Sequence, residues 1–195
     1  FVFLVVMPTL TPSLLLCFIV LVVLFSQPGL ASQFLSVSGT TFEMSGKKVY
    51  LSGVNQPWVN YGDDFGNDAG VATFCQMNYT IMNVTQHSGN AIREWVHCQG
   101  AHTPMFDEKG FVTGTDKDGS LISDMRNYVQ GAASQNVLVF FSLWTGAGLI
   151  QGNELGLVVD GDKLQSYLDN VLTPLATALK NETGLGGWEI MNEPE

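Results

Sequence analysis

The stretch Gly186-Gly187-Trp188-Glu189-Ile190-Met191-Asn192-Glu193-Pro194-Glu195 decides how the fold of this chain is interpreted. Its short apolar run, residues 188–191, predicts a buried strand. Asn192-Glu193-Pro194 follows at the carboxyl end of that strand. In a (β/α) barrel, carboxylates at the carboxyl ends of the strands face the catalytic mouth. The stretch therefore predicts a barrel strand that presents Glu193, with Asn192 beside it, to a functional site.

Three further predicted strands lie upstream and alternate with helical patterns. The predicted strands are residues 49–54, 90–97, 136–144 and 188–191, and the predicted helices are residues 69–86, residues 123–134 and a third that starts at Asp162. Strands separated by helices predict parallel β/α units. Within the α/β class, four such units without a closing half fit half a barrel better than a doubly wound sheet. The phosphate-binding glycine pattern of a nucleotide-binding sheet is also absent. We expect a (β/α)8 TIM barrel truncated after about its fourth strand.

Local signals refine this outline at both ends of the chain. Residues 34–37 and 41–43 flank Ser38-Gly39 and predict a β-hairpin of the kind that closes the bottom of a barrel. Asp162, with Gln165 three residues later, predicts a capped helix start. Leucines and Val171 recur at helical spacing from Leu164 to Leu179, so Pro174 predicts a kink or a restart within that helix.

Length and charge limit the possible functions. The chain has 195 residues, whereas a complete barrel typically needs about 250. It begins without Met and ends two residues after Glu193, so we expect a fragment that is open at both ends. The balance of 8 basic against 18 acidic residues gives a net charge of -10. This charge argues against nucleic acid and against anionic polysaccharides, and it is compatible with a neutral glycan.

The first 31 residues carry no charged side chain and predict a targeting segment. Residues 14–25 form an apolar run that is too short for an ordinary membrane span of about 20 residues. Pro28-Gly29 and then Gly29-Leu30-Ala31 follow, which fits a signal peptide cleaved after Ala31. We therefore expect residues 1–31 to be a signal peptide, residues 32–195 to belong to the catalytic domain, and the protein to be secreted and extracellular. A signal anchor that includes the apolar residues before position 14 stays open as the alternative.

Cysteines and sequons are compatible with secretion. Removal of the signal leaves Cys75 and Cys98, which either form a disulfide in an oxidising compartment or remain two buried free thiols. Asn-x-Thr sequons occur at Asn78, Asn83 and Asn181 and predict a glycoprotein.

The candidate catalytic chemistry depends on carboxylates and on the groups that orient them. A general acid that protonates a glycosidic oxygen is a carboxyl group held at the end of a strand, and Glu193 has that position. The adjacent Asn192 could hydrogen-bond a sugar 2-hydroxyl. Arg93 could hold a catalytic carboxylate ionised, or it could pair with a structural acid.

Aromatic residues and His97 are further candidates for substrate binding. Trp95 and Trp144 lie near predicted strand ends, where indole faces stack on sugar rings, and core packing is the alternative for both. Trp58 is a weaker candidate of the same kind. His97 either hydrogen-bonds a substrate hydroxyl or simply completes its strand.

No pattern in the sequence predicts a metal site. Asp116-Lys117-Asp118-Gly119 lacks the final glutamate of a calcium loop. The three histidines, His87, His97 and His102, show no metal-ligand spacing. Acidic residues between positions 62 and 70 (Asp63, Asp64 and Asp68) predict a solvated loop. We therefore expect neither a metal ion nor another cofactor.

Several stretches together resemble glycoside hydrolase family 5, a member of clan A, and within it the secreted endo-β-1,4-mannanases of invertebrates. The matching stretches are residues 50–55 (YLSGVN), 89–93 (GNAIR), 141–144 (FSLW) and 186–194 (GGWEIMNEP). The resemblance covers nearly all of residues 34–195. It implies that Glu193 is the acid/base, that Asn192 contacts the substrate and that Arg93 belongs to the catalytic surroundings. The chain departs from many family members in having Ser142-Leu143-Trp144 where they carry a histidine.

The resemblance also implies a reaction and a partner. We expect hydrolysis of internal β-1,4 bonds in a mannan-type polysaccharide by a retaining mechanism with two glutamates. The second glutamate, the nucleophile, would come from the seventh strand, beyond residue 195, so we expect the fragment alone to be inactive. The predicted partner is a neutral β-linked polysaccharide, without nucleic acid or a stable membrane association after signal cleavage, and the full-length protein is expected to be a monomer. The alternatives are another β-glycanase of the family, such as an endoglucanase, and a non-catalytic glycan-binding paralogue.

Overall fold

The structure is a computed structural model that describes residues 33–69, 71–146 and 153–194. From Phe34 onward the chain forms one compact unit. The signal peptide predicted for residues 1–31 lies outside the described residues, and so does Cys17. Within the described part, none of the helices is both long and apolar enough to cross a bilayer.

Nine strands and five α-helices follow one another in the described residues. The strands are β1 (Ser36–Ser38), β2 (Thr41–Met44), β3 (Lys47–Val49), β4 (Gly53–Asn55), β5 (Ala91–Trp95), β6 (Met105–Phe106), β7 (Val112–Gly114), β8 (Leu138–Thr145) and β9 (Leu185–Asn192). The helices are α1 (Val71–Gln86), α2 (Leu121–Ser134), α3 (Asn153–Val159), α4 (Gly161–Tyr167) and α5 (Thr173–Leu179), with a π-helical turn, Leu168–Leu172, between α4 and α5.

A parallel four-stranded sheet in the order β4-β5-β8-β9 forms the framework of the molecule. Asn55 pairs with Arg93, Arg93 pairs with Phe140, and Thr145 pairs with Asn192. Helices connect these parallel strands, so the prediction of parallel β/α units is confirmed. The register brings the carboxyl ends of all four strands to the same edge of the sheet.

Helices cover one face of this sheet. In β5, Ile92 and Glu94 are buried while Ala91, Arg93 and Trp95 are only half-buried, which is the alternation of a strand packed on one side. The apolar core lies between the sheet and the helices and includes Met77, Met125, Val139, Phe141, Val171 and Leu175. The side chain of Arg93 therefore lies on the face opposite the helices.

The first predicted parallel strand, residues 49–54, is wrong in position and in burial. Val49 belongs to the antiparallel strand β3, and the parallel strand β4 begins only at Gly53. All three residues of β4 are exposed, because β4 is the outermost strand of the sheet and has a single neighbour. Glycine is required at its start, since a Cβ on Gly53 would lie 1.6 Å from the carbonyl oxygen of Ala91.

The other elements follow the sequence signals more closely. The predicted hairpin is present as β1 and β2, and β3 extends it to a three-stranded antiparallel sheet. The predicted interruption at Pro174 is confirmed, because the π-helical turn ends at Leu172 and α5 restarts with Pro174 in its first turn. The predicted cap at Asp162 is wrong by two residues. Asp160 is the cap, and its side chain accepts hydrogen bonds from the backbone N–H groups of Asp162 and Lys163.

Strand β9 is longer than predicted because it includes glycines that ordinarily weaken a strand. A Cβ on Gly186 would lie 2.6 Å from the ring of Phe140 in the neighbouring strand, so the aromatic side chain fills the space beside the glycine. Of the two arrangements left open for the cysteines, the structure has free thiols, with Cys75 exposed and Cys98 buried.

Candidate active site

The candidate site lies where the four parallel strands end. The last residues of β4, β5, β8 and β9 are Asn55, Trp95, Thr145 and Asn192, respectively. Glu193 follows Asn192 directly and is exposed. In barrel enzymes this edge of the sheet carries the catalytic residues, so the fold brings the predicted site residues Arg93, Asn192 and Glu193 to the appropriate place.

Arg93 is the centre of a hydrogen-bond network that joins three of these strands. Its Nε donates to both carboxylate oxygens of Glu189, at 3.0 and 2.8 Å, and its Nη2 lies 2.6 Å from Glu189 Oε2. Nη1 donates to Asn55 Oδ1 at 3.0 Å, and Nη2 donates to Asn192 Oδ1 at 3.0 Å. The guanidinium group therefore fixes the relative position of β4, β5 and β9 by charge-assisted bonds.

The acid that pairs with Arg93 was not singled out in the sequence. Glu189 lies within β9, four residues before Glu193, inside the stretch whose apolar residues predict the strand. A charged residue inside an otherwise apolar strand was the available signal, because such a residue needs a partner of opposite charge.

Asn192 is oriented by this network. Its side-chain oxygen accepts a hydrogen bond from Arg93 Nη2, which fixes the amide so that its oxygen faces the arginine. An amide has one acceptor and two donor hydrogens, so the two N–H donors point away from Arg93. This geometry leaves Asn192 as a hydrogen-bond donor for a ligand hydroxyl at the strand edge.

Glu193 has an unusual backbone conformation. Its φ is 50°, in the left-handed region that few residues other than glycine adopt. Its carbonyl oxygen is closely approached by the end of β8, since a Cβ on Gly146 would lie 1.7 Å from that oxygen. Strained backbone of this kind is maintained by its surroundings and is concentrated at functional sites. The turn after β9 is therefore a specified conformation that depends on Gly146.

An aromatic surface adjoins the arginine. The guanidinium carbon of Arg93 lies 5.8 Å from the ring centroid of Trp95, and the ring of Trp58 packs 5.2 Å from that of Trp95. Tyr61 meets Trp58 edge to face at 5.0 Å. Trp95 is half-buried, whereas Trp58 is 41% exposed. Trp58 therefore offers the larger exposed surface beside the network, and Trp95 offers a smaller one.

The structure places His97 and Trp144 in the interior. His97 is fully buried, and its Nδ1 lies 2.9 Å from the hydroxyl oxygen of Thr103. Its ring centroid lies 4.9 Å from that of Trp144, with the two ring planes tilted by 41°, and Tyr167 packs against both rings. Burial lowers the pKa of His97 to about 3, so the ring is neutral at ordinary pH. Neither His97 nor Trp144, which is 4% exposed, offers a face to a substrate in this arrangement, and core packing is the role that the structure supports for both.

Two acids lie on the helix side of the sheet, away from Arg93. Glu94 is fully buried and accepts a hydrogen bond from the hydroxyl of Tyr128 at 2.8 Å, and burial raises its pKa well above the ordinary value. Asp64 is also buried, so the prediction that it lies in a solvated loop is wrong. Both of its carboxylate oxygens accept backbone hydrogen bonds, from Val59 and Asn60, and these bonds make its burial tolerable.

A third acid, Glu154, lines a mainly apolar cavity of about 280 Å³ with Leu157, Tyr167 and Met191. Glu154 is 2% exposed, and burial raises its pKa to about 7. Among the residues that the structure describes, no group of three or more histidines, cysteines and acids is arranged to hold a metal ion.

Comparison with known proteins shows that the chain is similar in sequence and in fold to several mannanases. The chain is 49% identical over 181 residues to a mannan endo-1,4-β-mannosidase of Mytilus edulis, a match that covers 90% of this chain and 47% of that protein. The crystal structure of the β-mannanase from this mussel superimposes with a TM-score of 0.79, over 85% of this chain and 47% of the mussel chain. No family model matches the chain.

Two further structures extend the comparison. The β-1,4-D-mannanase of Cryptopygus antarcticus is 43% identical and gives a TM-score of 0.82 over 84% of this chain and 45% of that chain. A glycoside hydrolase family 5 protein of Bacteroides vulgatus, at 16% identity and a TM-score of 0.53, shares the fold. The chain spans about half the length of the curated relatives it matches, and its β/α units correspond to the N-terminal part of their barrels.

Proposed function

We propose that this chain, a relative of the endo-β-1,4-mannanases of glycoside hydrolase family 5, supplies the acid/base half of a mannan-hydrolysing active site. The full-length protein, meaning this chain together with the second half that its relatives possess, hydrolyses internal β-1,4 bonds of a mannan-type polysaccharide. The observation that carries the proposal is the bond from Arg93 to Asn192, which fixes the amide directly beside Glu193 at the strand edge.

In the proposed reaction Glu193 acts first as a general acid. It protonates the glycosidic oxygen while a second carboxylate, which belongs to the other half of the protein, attacks the anomeric carbon. Glu193 then removes a proton from the water that hydrolyses the glycosyl-enzyme. The two carboxyl groups of a retaining enzyme lie about 5 Å apart, so the second half must bring its glutamate close to the end of β9.

Arg93, Asn192 and Glu189 have distinct parts in this proposal. Asn192 donates to the hydroxyl next to the reacting carbon, a contact that strengthens as positive charge develops on the sugar. Arg93 acts through Asn192, because its Nη2 fixes the amide. Glu189 acts one step further away, since its carboxylate holds the guanidinium group by three contacts. Of the aromatic candidates, the exposed indole of Trp58 is best placed to support a sugar ring.

The substrate and the location of the protein follow from the same relationship. The relatives are described as acting on mannan, and a protein with a net charge of -10 is compatible with such a neutral polymer. We propose a secreted and extracellular protein, on the basis of the uncharged N-terminal segment. That the full-length protein is a monomer stays a prediction.

The test is to assay the full-length protein on galactomannan and on a soluble β-1,4-glucan, with an equilibrium binding measurement on both. New reducing ends from galactomannan, with the product first formed in the β configuration by proton NMR, support the proposal. Hydrolysis of the glucan alone would identify an endoglucanase instead. Binding without hydrolysis would identify a glycan-binding protein and refute the proposed reaction.

A further inference from the structure

Three Asn-x-Thr sequons differ sharply in their surroundings. Asn78 and Asn83 lie within α1, and Asn181 lies in the turn between α5 and β9. A sequon is used when its asparagine amide receives an oligosaccharide in the secretory pathway, and the glycan must then find room on the surface of the folded protein. The structure distinguishes which of the three asparagines has that room.

Asn83 is poorly placed for a glycan. Its side chain is half-buried and lines a cavity between α1 and β4 together with Ser52 and Val54. The threonine of its sequon, Thr85, donates from its hydroxyl to the carbonyl oxygen of Ile81 at 3.0 Å. A sugar attached to Asn83 would have to pass between α1 and β4 to reach solvent.

Asn78 lies where α1 meets α2. It is exposed, but its side-chain oxygen is directed at the neighbouring helix, since a Cβ on Gly131 would lie 3.7 Å from Asn78 Oδ1. The first sugar attached to this side chain would contact α2 and would disturb the packing of α1 against α2.

Asn181 lies in a turn whose other residues are held in place. The backbone N–H of Glu182 donates to Leu179 at 2.9 Å, and that of Leu185 donates to Glu182 at 3.1 Å. The Glu182 carboxylate contacts Arg126 at 3.4 Å and accepts hydrogen bonds from Gln130. Asn181 itself is exposed. The turn is therefore anchored to α2 through the middle residue of the sequon, while its asparagine is presented to solvent.

The position of this turn also keeps it away from the candidate active site. Asn181 precedes the amino end of β9, whereas Asn192 and Glu193 lie at the carboxyl end of the same strand. A strand of eight residues at about 3.3 Å per residue separates the two ends by roughly 23 Å. A glycan on Asn181 would leave the mouth of the site open to a polysaccharide.

We infer that Asn181 is an N-glycosylation site and that it is the sequon used in the folded protein. The donor is an oligosaccharide linked to a polyprenyl pyrophosphate. The amide nitrogen of Asn181 forms a bond to C1 of the first sugar, the bond from C1 to the phosphate oxygen breaks, and polyprenyl pyrophosphate leaves as the amide loses a proton. This inference does not rest on the proposed hydrolase function.

The test is to express the full-length protein in a eukaryotic secretory host, once with its own residues 1–31 and once with a leader of the host in their place. Peptide N-glycosidase converts a glycosylated asparagine to aspartate, which peptide mass spectrometry locates. We expect the conversion at position 181 and a loss of one glycan mass in Asn181→Gln and Thr183→Ala. Thr183→Ser, which preserves the sequon, should retain the glycan, and Asn78→Gln and Asn83→Gln should leave the mass unchanged.

Two results would overturn the inference. One is a secreted protein with the host leader in which position 181 is unmodified. The other is a glycan that disappears in Asn78→Gln or Asn83→Gln and persists in Asn181→Gln. Modification at position 181 with the host leader alone would support the site and would refute the prediction that residues 1–31 are a signal peptide.

Discussion

Replacing Glu189 by Gln tests whether the network around Arg93 orients the active site. The substitution preserves the shape of the side chain and one oxygen acceptor, but it removes the negative charge. Arg93 then loses its ion pair and one of the two acceptor oxygens that its Nε and Nη2 contact, while its bonds to Asn55 and Asn192 remain available. We expect the guanidinium group to shift, and Asn192 to shift with it.

The magnitude follows from the exposure of the pair. The side chains of Arg93 and Glu189 are 25% and 39% exposed, so solvent screens part of their attraction. A hydrogen bond to a charged group contributes about 1.5–3 kcal/mol, and an exposed ion pair only about 0.2–1 kcal/mol. We therefore expect Glu189→Gln to lower the free energy of unfolding by about 1 kcal/mol. Misplacement of a catalytic group costs up to about 100-fold in rate, so kcat/KM should fall by about 10- to 100-fold, mainly through kcat.

The assay compares this variant with a matched control in the full-length protein. Glu182→Gln removes the acid of another arginine pair, Arg126–Glu182, which joins α2 to the turn before β9 at the far end of the sheet. Both variants should lose some stability in urea titrations, but only Glu189→Gln should lose activity on galactomannan. Glu189→Asp, which retains the charge, should keep more activity on galactomannan than Glu189→Gln. If Glu189→Gln retains the parent kcat/KM, or if Glu182→Gln loses as much activity, the bonds around Arg93 do not orient the active site.

Three further predictions concern the buried acid, the turn and the isolated chain. Burial raises the pKa of Glu94 above its unfolded value of 4.5, so its contribution to the free energy of unfolding is complete below pH 4.5 and is lost as pH rises through the folded-state pKa. Glu94→Gln should remove this pH dependence from urea titrations of the full-length protein. Gly146→Ala should reduce galactomannan hydrolysis at least 10-fold, because the added Cβ would lie 1.7 Å from the Glu193 carbonyl oxygen and must displace the turn that carries Glu193. Parent-like activity of this variant would contradict the dependence of the turn on Gly146. The 195 residues expressed alone should be inactive and should self-associate, because β4 and β9 each pair along one edge only within the part of the chain that the structure describes. A monomeric, active fragment by light scattering and reducing-end assay would refute this.

The parallel β/α order was predictable because each signal for it is local. The helical spacing of apolar residues, the strand-like apolar runs and the break at Pro174 depend on neighbours in the sequence. The boundaries that failed depend on contacts between strands. Gly186 belongs to β9 because Phe140 of the adjacent strand fills the space beside it, and β4 is exposed because it has one neighbour. Neither contact can be derived from residues nearby in the sequence.

The candidate site was predictable in part for the same reason. Asn192 and Glu193 come at the end of a strand that the sequence predicts, and Arg93 lies within another predicted strand. The partner of Arg93 is 96 residues away, so the choice of Glu189 required the fold. For His97 the sequence left two roles open, and only the fold shows that the ring is buried. It lies two residues after the end of β5, as a binding residue would, but Trp144 and Tyr167 enclose it.

The most direct test of the central claim is the rate of the Glu193→Gln variant on two substrates. The amide cannot donate the proton that a sugar leaving group needs, so hydrolysis of galactomannan by the full-length protein should fall by about 10²- to 10⁴-fold while binding is retained. Cleavage of an aryl β-mannoside with an acidic phenol as leaving group should be affected far less in its first step, because that group leaves without protonation. Hydrolysis of galactomannan at the parent's rate would show that Glu193 is not the acid/base and would contradict the account.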